Sequence, residues 1–256
     1  MRAPIPVGDA EIGARIYRPG AWTKGLIVWV HGGGFVLGNP AGCDNFCRLL
    51  ANRSGCTVVS LDYRLAPEYP FPIPVNDVLA ATKWIARRRK PLAGGDVPLF
   101  LGGDSAGGNL TAVVSRKLAE AGDSPLAGQI LVYPCTDDGD AASLTRFDPP
   151  FLTQPEMAWF FDQYDPGRAN RDHPDFAPLK ATSLAGLPPA IVVTAEHDIL
   201  TEQAEAYGRK LQAAGVDVRF SRHPGMIHGF AAMDVFFEGE AGKAIDAMVA
   251  FVGKPI

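Results

Sequence analysis

Residues 99–108 read LFLGGDSAGG, and this segment gives the strongest indication of the fold. Apolar residues typical of a buried strand are followed, without a linker, by residues typical of a helix. Gly103, Ser105 and Gly107 fit a sharp strand-to-helix turn that lifts a serine hydroxyl off the end of a sheet. The positions two before and two after the serine pass so close to other backbone that only glycine fits. The stretch therefore predicts a layered α/β fold and marks Ser105 as a candidate nucleophile.

The rest of the chain repeats this alternation of short apolar runs and amphipathic stretches. The runs are almost continuously hydrophobic, which is typical of parallel strands buried on both faces of a sheet. Predicted strands lie at residues 26–30, 57–61, 99–102, 129–133, 190–194 and 216–220, and an earlier pair near 10–18 is expected to form an antiparallel edge. Predicted helices lie at residues 45–53, 75–89, 108–121, 202–214 and 238–252. We therefore expect residues 1–256 to form a single α/β domain in which helices flank a mostly parallel central sheet.

Residues 135–189 interrupt the alternation because they carry no strand signal. They are rich in proline and aromatic side chains, and loops of such length without structure of their own are uncommon. We expect a small inserted cap with one helix near 155–164, at the carboxyl end of a parallel strand, where ligands bind in such folds. The alternative is a helix that packs on the sheet like the others.

A glycine run follows the strand at 26–30, since residues 31–35 read HGGGF. Glycines leave backbone N–H groups uncovered, as the oxyanion of a tetrahedral intermediate requires. The amides of Gly33 and Gly34, together with that of Ala106 after the serine, are the predicted donors of an oxyanion hole. The alternative for this glycine run is a tight structural turn. The alternative for the serine motif is a phosphate-binding glycine loop, which would need Gly-Lys-Ser/Thr, or spaced glycines followed by an acidic residue on the next strand, and the sequence has neither.

A nucleophilic serine needs a base, and the chain has five histidines. His228 stands in the stretch MIHGF, between the last predicted strand and the last predicted helix. A loop at this place can return over the sheet edge to which the serine points. We predict that His228 is the general base, with His223, at the end of the last strand, as the alternative.

The acid that orients the histidine is expected at the end of a parallel strand. The strand at 190–194 leads into Ala-Glu-His-Asp, which ends at Asp198. Asp198 gives the chain order serine, aspartate, histidine that accompanies this kind of turn. The alternatives are Glu196, and Asp137 or Asp138 after an earlier strand.

Together these motifs resemble the hormone-sensitive-lipase-like branch of the α/β-hydrolases, which includes many bacterial carboxylesterases. The matching pieces lie at 31–35 (HGGGF), 62–68 (DYRLAPE), 103–108 (GDSAGG) and 228–230 (HGF). The resemblance implies a catalytic triad of Ser105, Asp198 and His228 that hydrolyses short-to-medium acyl esters. It implies a small-molecule ester as the partner and neither a metal nor an organic cofactor. The segment at 62–68 is expected to be a structural loop near the site.

Two other functions stay open for a chain with these motifs. An amidase or aryl-acetamide deacetylase would use the same triad, because the triad alone does not distinguish esters from amides. The other hypothesis is a relative that binds a small hydrophobic ligand without hydrolysing it, although such proteins lack a member of the triad.

The chain departs from the family pattern at the acid. Asp198 is followed by Ile199 and Leu200 where the family commonly has proline and leucine. Glu202 and Gln203 stand where two acids are usual.

A second departure concerns the amino-terminal side. The chain reaches its HGGGF motif by residue 31, so we expect the family's amino-terminal lid segment to be largely absent and the pocket to be wide and open. The expected pocket lining includes Phe35, Leu37, Ile227 and Phe230. An exposed apolar rim around such a pocket would favour a homodimer.

Composition narrows the class of protein further. Hydrophobic residues make up 47% and charged residues 20%, which suits a globular protein with a substantial core. The net charge of -4 argues against a nucleic-acid partner, because phosphate binding needs clustered cations. The four cysteines form no CxxC pair and are expected to be reduced, buried thiols. With neither a signal-peptide pattern nor a long apolar run, we expect a cytoplasmic protein without a membrane segment.

Overall fold

The structure is a computed structural model that describes residues 2–122, 124–138 and 149–253. Its centre is a sheet of eight strands in the order β1-β2-β4-β3-β5-β6-β7-β8. The strands are β1 Arg2–Val7, β2 Ala10–Tyr17, β3 Leu26–Val30, β4 Thr57–Asp62, β5 Leu99–Asp104, β6 Leu126–Val132, β7 Ala190–His197 and β8 Val218–Ile227. Strands β3 to β8 pair in parallel, while β1 with β2 and β2 with β4 pair antiparallel. The predicted α/β fold with a mostly parallel sheet and an antiparallel edge is confirmed.

The edge strand β1 lies before the range near 10–18 in which the sequence predicts the antiparallel pair. It contains Pro4 and Pro6, which reduce the strand signal because proline cannot donate to a ladder of hydrogen bonds. An edge strand tolerates proline, since one side of its backbone faces solvent. The sheet order places β1 at the edge, where only β2 pairs with it.

Seven α-helices are found in the described part of the chain. They are α1 Asp44–Ser54, α2 Ile73–Ala86, α3 Arg89–Ala93, α4 Ala106–Glu120, α5 Gln154–Tyr164, α6 Thr201–Ala213 and α7 Asp234–Val252. The single helix predicted at residues 75–89 is wrong at its carboxyl end, because α2 stops at Ala86 and α3 starts at Arg89. The basic run at 87–90 therefore lies across the junction between two helices.

Helices cover both faces of the sheet, and the strand sequences show why. Successive side chains of a strand point to opposite faces. In β3, Val28 and Val30 pack in the core that includes α2 and α4, while Trp29 packs in the core that includes α1 and α7. Each fully buried aliphatic or aromatic side chain of this kind stabilises the fold by roughly 1.5–3 kcal/mol. The result is a rigid three-layer scaffold behind the carboxyl edge of the parallel strands.

The described residues between β6 and β7 contain α5 and a short 3-10 helix, Pro178–Lys180, and no strand. The helix predicted near 155–164 is thus found as α5. It starts at a capping box, in which the Thr153 hydroxyl accepts from the Glu156 amide and the Glu156 carboxylate accepts from the Thr153 amide. Residues 139–148, which belong to the predicted cap segment 135–189, lie outside the described residues.

The structure bears on two of the expectations from composition, the state of the cysteines and the membrane segment. All four cysteines, Cys43, Cys47, Cys56 and Cys135, are buried and free. None of the helices among the described residues is long and apolar enough to cross a bilayer.

Candidate active site

Ser105 stands on the turn between β5 and α4 in a strained backbone conformation, with φ 55° and ψ -119°. A side chain at Gly103 would place its Cβ 2.4 Å from the carbonyl oxygen of Gly107. A Cβ at Gly107 would lie 2.0 Å from the carbonyl oxygen of Val30. Both distances are far below any contact that Cβ atoms make, so glycine is obligatory at these two positions. The turn therefore has the strain and the close approach that the sequence predicts.

Three side chains form a continuous chain of hydrogen bonds that starts at this turn. The Oγ of Ser105 lies 2.9 Å from Nε2 of His228, and Nδ1 of His228 lies 2.7 Å from Oδ2 of Asp198. The second carboxylate oxygen of Asp198 accepts from the amide of Leu200 at 2.9 Å. Because a carboxylate can only accept, the neutral imidazole carries its proton on Nδ1 and leaves Nε2 free to accept the serine proton. This is the arrangement in which a serine hydroxyl is activated by a neighbouring base.

The topology of the sheet brings these side chains to one edge. Ser105 follows β5, Asp198 follows β7, and His228 follows the last residue of β8, Ile227. Strands β5 to β8 run parallel, so their carboxyl ends share one edge of the sheet. The aspartate and histidine are almost fully buried, at 1% and 6% exposure, which shields their hydrogen bond from water.

The alternative bases and acids have other partners. His223 lies between the Ser221 hydroxyl and the Glu240 carboxylate, with nitrogen–oxygen distances of 3.0 Å to both. The carboxylate of Glu196 accepts from the amide of Gly225. Asp138 forms an ion pair with Lys180. Among these candidates, the structure brings only Asp198 and His228 to the serine.

The predicted oxyanion loop lies beside the serine turn. Gly33 and Gly34 both have positive φ, at 114° and 61°, a backbone region that favours glycine. Within the described part of the chain, neither of their amides donates a backbone hydrogen bond. A Cβ at Gly32 would lie 3.2 Å from Cβ of Ser105, so loop and turn are in direct contact. Ala106 is the first residue of α4, and the first amides of a helix have no intrahelical partner.

The oxyanion loop is stabilised by contacts of His31 and Tyr63. Nδ1 of His31 lies 2.7 Å from the carbonyl oxygen of Gly32, and the Tyr63 hydroxyl donates to the His31 carbonyl at 2.9 Å. The two rings stack with their centroids 4.5 Å apart. Burial lowers the pKa of His31, so the imidazole is neutral and acts as a brace. Tyr63 belongs to the segment 62–68, which lies against the loop as the resemblance implies.

A cavity of about 400 Å³ opens in front of the serine. Its lining consists of Gly33, Gly34, Leu37, Asp104, Ser105, Tyr133, Phe151, Leu152, Glu156, Phe160, His228, Gly229, Ala232 and Met233. Leu37 and Phe151 are 55% and 61% exposed and form part of the mouth. Most of the wall is apolar, and the polar groups converge at its base, which is the usual pattern of a small-molecule site.

Leu37 is one of these lining residues, but Phe35, Ile227 and Phe230 are not among them. Phe35 has φ 67°, which turns its side chain into the core, where it is fully buried. Phe230 is also fully buried, with its ring near that of Tyr133. Ile227 pairs with β7 as the last residue of β8. These three pocket assignments are corrected by the structure, because chain proximity to a motif does not fix the direction of a side chain.

Sequence reasoning missed the side chains that replace them. Tyr133 lies directly after β6, beside the serine turn, and its φ of 35° is unusual for a bulky residue. Phe151 and Phe160 come from the segment between β6 and β7. The aromatic content of that segment was the available signal, but the spacing does not show which rings face the serine.

The carboxyl of Asp104 is a titratable group in the lining of the cavity. Burial raises the pKa of its carboxyl to about 6, against the opposing effects of His228 and of the Gly32 amide. The carboxyl therefore changes charge close to neutral pH, next to the nucleophile.

Gln203 stands where the family usually has an acid, and its side chain makes hydrogen bonds that an acid could also make. Its side-chain oxygen accepts from the amides of Thr136 and Asp137, at 2.6 and 2.8 Å. A carboxylate at this position could accept the same two hydrogen bonds, so an uncharged amide can serve instead. In the described ranges, no group of three or more histidine, cysteine, aspartate or glutamate side chains is placed to hold a metal ion.

The sequence of the chain is similar to those of known proteins. The model of the alpha/beta hydrolase fold family matches residues 27–232. Carboxylesterase NlhH of Mycobacterium tuberculosis is 39% identical over 231 residues, which cover 87% of this chain and 72% of that protein. Ethyl acetate hydrolase of Pseudomonas putida is 33% identical over 242 residues, which cover 92% of this chain and 76% of that protein.

The solved structures give the same result. A hyperthermophilic esterase from Pyrobaculum calidifontis superposes with a TM-score of 0.93 at 38% identity, covering 98% of this chain and 84% of that one. The chain therefore belongs to the α/β-hydrolase family, in the hormone-sensitive-lipase-like branch that includes bacterial carboxylesterases.

Proposed function

We propose that this chain is a serine carboxylesterase that hydrolyses short-to-medium acyl esters, with Ser105, His228 and Asp198 as its catalytic triad. The observation that carries the proposal is the chain of hydrogen bonds, with 2.9 Å from Ser105 Oγ to His228 Nε2 and 2.7 Å from His228 Nδ1 to Asp198. It lies at the base of an apolar cavity, beside glycine amides that have no backbone hydrogen-bond acceptor in the described part of the chain.

In the acylation half of the cycle, Nε2 of His228 takes the proton of Ser105 as Oγ attacks the ester carbonyl carbon. The carbonyl oxygen becomes an oxyanion, which the amides of Gly33, Gly34 and Ala106 hold. Each such donor typically contributes about 3–4 kcal/mol to transition-state stabilisation. The imidazolium then protonates the leaving alcohol oxygen, and the carbon–oxygen bond of the ester breaks. The acyl group remains on Oγ.

Deacylation repeats these steps with water as the nucleophile. His228 removes a proton from water, the hydroxide attacks the acyl carbon, and the same amides hold the second oxyanion. Collapse of this intermediate returns the proton to Ser105 and releases the carboxylic acid. Asp198 keeps the imidazole in the productive tautomer and stabilises its positive charge throughout. The cycle consumes one ester and one water and needs no other reactant.

The names of the relatives point to the same reaction. Two of them are called carboxylesterase and ethyl acetate hydrolase, and ethyl acetate is a small neutral ester. A cavity of about 400 Å³ suits substrates of modest size.

The test is a series of initial rates on p-nitrophenyl esters from acetate to laurate. We expect turnover that is greatest for the shorter chains and that falls by several orders of magnitude in Ser105→Ala, with the thermal melting point retained. Ser221→Ala is the matched control, because Ser221 is also within hydrogen-bond distance of a histidine, His223, but not in the cavity. Absence of ester turnover by folded wild-type protein, or turnover by Ser105→Ala equal to wild type, would overturn the proposal. Turnover of p-nitroacetanilide in place of the esters would indicate an amidase.

A further inference from the structure

Helix α5 contacts the oxyanion loop at two points that are one helical turn apart. Phe160 and Tyr164 are four residues apart and so lie on one face of the helix. A Cβ at Gly34 would lie only 2.2 Å from Cγ and Cδ1 of Phe160, so the Phe160 ring packs directly on the Gly34 backbone. The Tyr164 ring stacks on Phe35 with centroids 3.9 Å apart and an interplanar angle of 1°.

The second contact holds the helix firmly against the loop. Tyr164 and Phe35 are both fully buried. The Tyr164 carbonyl also accepts from the amide of Phe71 at 2.8 Å. Because densely packed interiors do not deform easily, this anchor fixes where the preceding turn of the helix stands. The Phe160 ring is therefore held at a defined place relative to the oxyanion loop.

Phe160 also belongs to the wall of the cavity. If the Gly34 amide holds the ester oxygen as proposed above, the oxygen lies about 2.7–3.1 Å from that amide nitrogen. The ring packs on the same residue, so it stands next to the carbonyl group of the bound ester. A carbon chain attached to that carbonyl and directed toward α5 meets the ring after a short distance.

We propose that Phe160 is a specificity-determining residue that limits the length of the ester chain lying along α5, so that the enzyme selects substrates with a short group on that side. This proposal rests on the proposed esterase function. Gly34 has a double role in it, since its amide faces the substrate and its missing side chain makes room for the ring. The pairing of these two residues thus joins catalysis and chain-length selection in one contact.

The test uses Phe160→Ala, with Trp159→Ala as the matched control. Trp159 neighbours Phe160 on α5 and contacts it edge-on, with centroids 5.3 Å apart, but is half exposed and does not line the cavity. Two substrate series are measured, p-nitrophenyl esters of increasing acyl length and acetates of increasing alcohol length.

In Phe160→Ala we expect the ratio of kcat/KM for the longest chain to that for acetate to rise at least tenfold in one series, the one whose chain lies along α5. The ratio should stay at the wild-type value in Trp159→Ala. Unchanged ratios in both series for Phe160→Ala, or an equal change in Trp159→Ala, would overturn the proposal. A wild-type protein without turnover of any ester would instead refute the proposed function, so the two failures are distinguishable.

A double-mutant cycle tests the contact itself. Gly34→Ala should lose most activity, because the new methyl group meets the Phe160 ring and the residue has φ 61°. In Gly34→Ala/Phe160→Ala the ring is gone, and kcat/KM on p-nitrophenyl acetate should recover at least tenfold over Gly34→Ala. No recovery, with both variants folded by circular dichroism, would contradict a direct contact between the two residues.

Discussion

The ring of Tyr133 lies against the imidazole of His228, with centroids 4.7 Å apart and planes inclined by 58°. Tyr133 is buried, and burial raises the pKa of its phenol far above the usual range, so the side chain stays neutral. Its hydroxyl makes no hydrogen bond of normal geometry within the described chain, although the nearby amides of Ala231 and Ala232 oppose this rise in pKa. The ring therefore acts on His228 through its shape, by filling the space beside the Ser105–His228 hydrogen bond.

Removal of the Tyr133 ring should reduce catalysis more than removal of its hydroxyl. In Tyr133→Ala the imidazole gains room to turn away from Ser105, and small misplacements of a catalytic group can cost about a hundredfold in rate. We expect kcat to fall roughly tenfold to a hundredfold in Tyr133→Ala and far less in Tyr133→Phe. Steady-state kinetics on p-nitrophenyl acetate, with thermal melts of both variants, measure this. Equal losses in the two variants would show that the hydroxyl, and not the ring, matters.

Asp198→Asn should lower kcat by about three to four orders of magnitude, because an amide at this position favours the wrong tautomer of His228. Glu196→Gln is the control, since Glu196 is an acid two residues earlier whose carboxylate accepts from the backbone of Gly225. We expect Glu196→Gln to keep kcat near the wild-type value. A comparable loss in both variants would contradict the assignment of Asp198.

Gly107→Ala should strongly destabilise the fold. The added Cβ would lie 2.0 Å from the carbonyl oxygen of Val30, which is backbone and cannot move aside cheaply. We expect a loss of about 3 kcal/mol or more in the free energy of unfolding, measured by urea denaturation. Gly239→Ala is the contrasting variant, because Gly239 is an exposed residue of α7 with no atom near its missing Cβ. There alanine should stabilise the protein by roughly 0.5–1 kcal/mol, and a loss at Gly239 or no loss at Gly107 would contradict this account.

The carboxyl of Asp104 should make the fold less stable as the pH rises through about 6. Its pKa is about 6 in the folded chain, against 3.8 for the ordinary group, so the folded state binds more protons between these values. The stability that this neutral carboxyl contributes is therefore fully present below pH 3.8 and is lost as the pH rises through about 6.

Asp104→Asn removes this titration. The difference in free energy of unfolding between Asp104→Asn and wild type should increase in favour of the variant from pH 4 to pH 6 and then level off. Denaturation curves at pH 4, 5, 6 and 7 measure it. A difference that stays constant, or that changes in the opposite direction, would show that Asp104 is not the group responsible.

The fold was predicted best where short-range patterns are strong. The parallel strands and the glycine-flanked turn at Ser105 follow from hydrophobic runs and from residues that tolerate no side chain. The position of β1 and the break between α2 and α3 were missed, because the prolines of β1 weaken its signal and the basic run at 87–90 reads as one continuous helix.

The α/β architecture and the three candidate catalytic residues follow from the sequence alone. Each of them directly follows a parallel strand, and parallel strands end at a common edge, so the order of motifs along the chain is enough to bring the side chains together. The identity of the residues that form the cavity, in contrast, depends on the folded structure. Phe35 is next to the oxyanion glycines in the chain but turns into the core, while Phe160 reaches Gly34 from a distant helix. The direction of a side chain depends on local φ and on packing partners remote in sequence, and neither is encoded in the spacing of a motif.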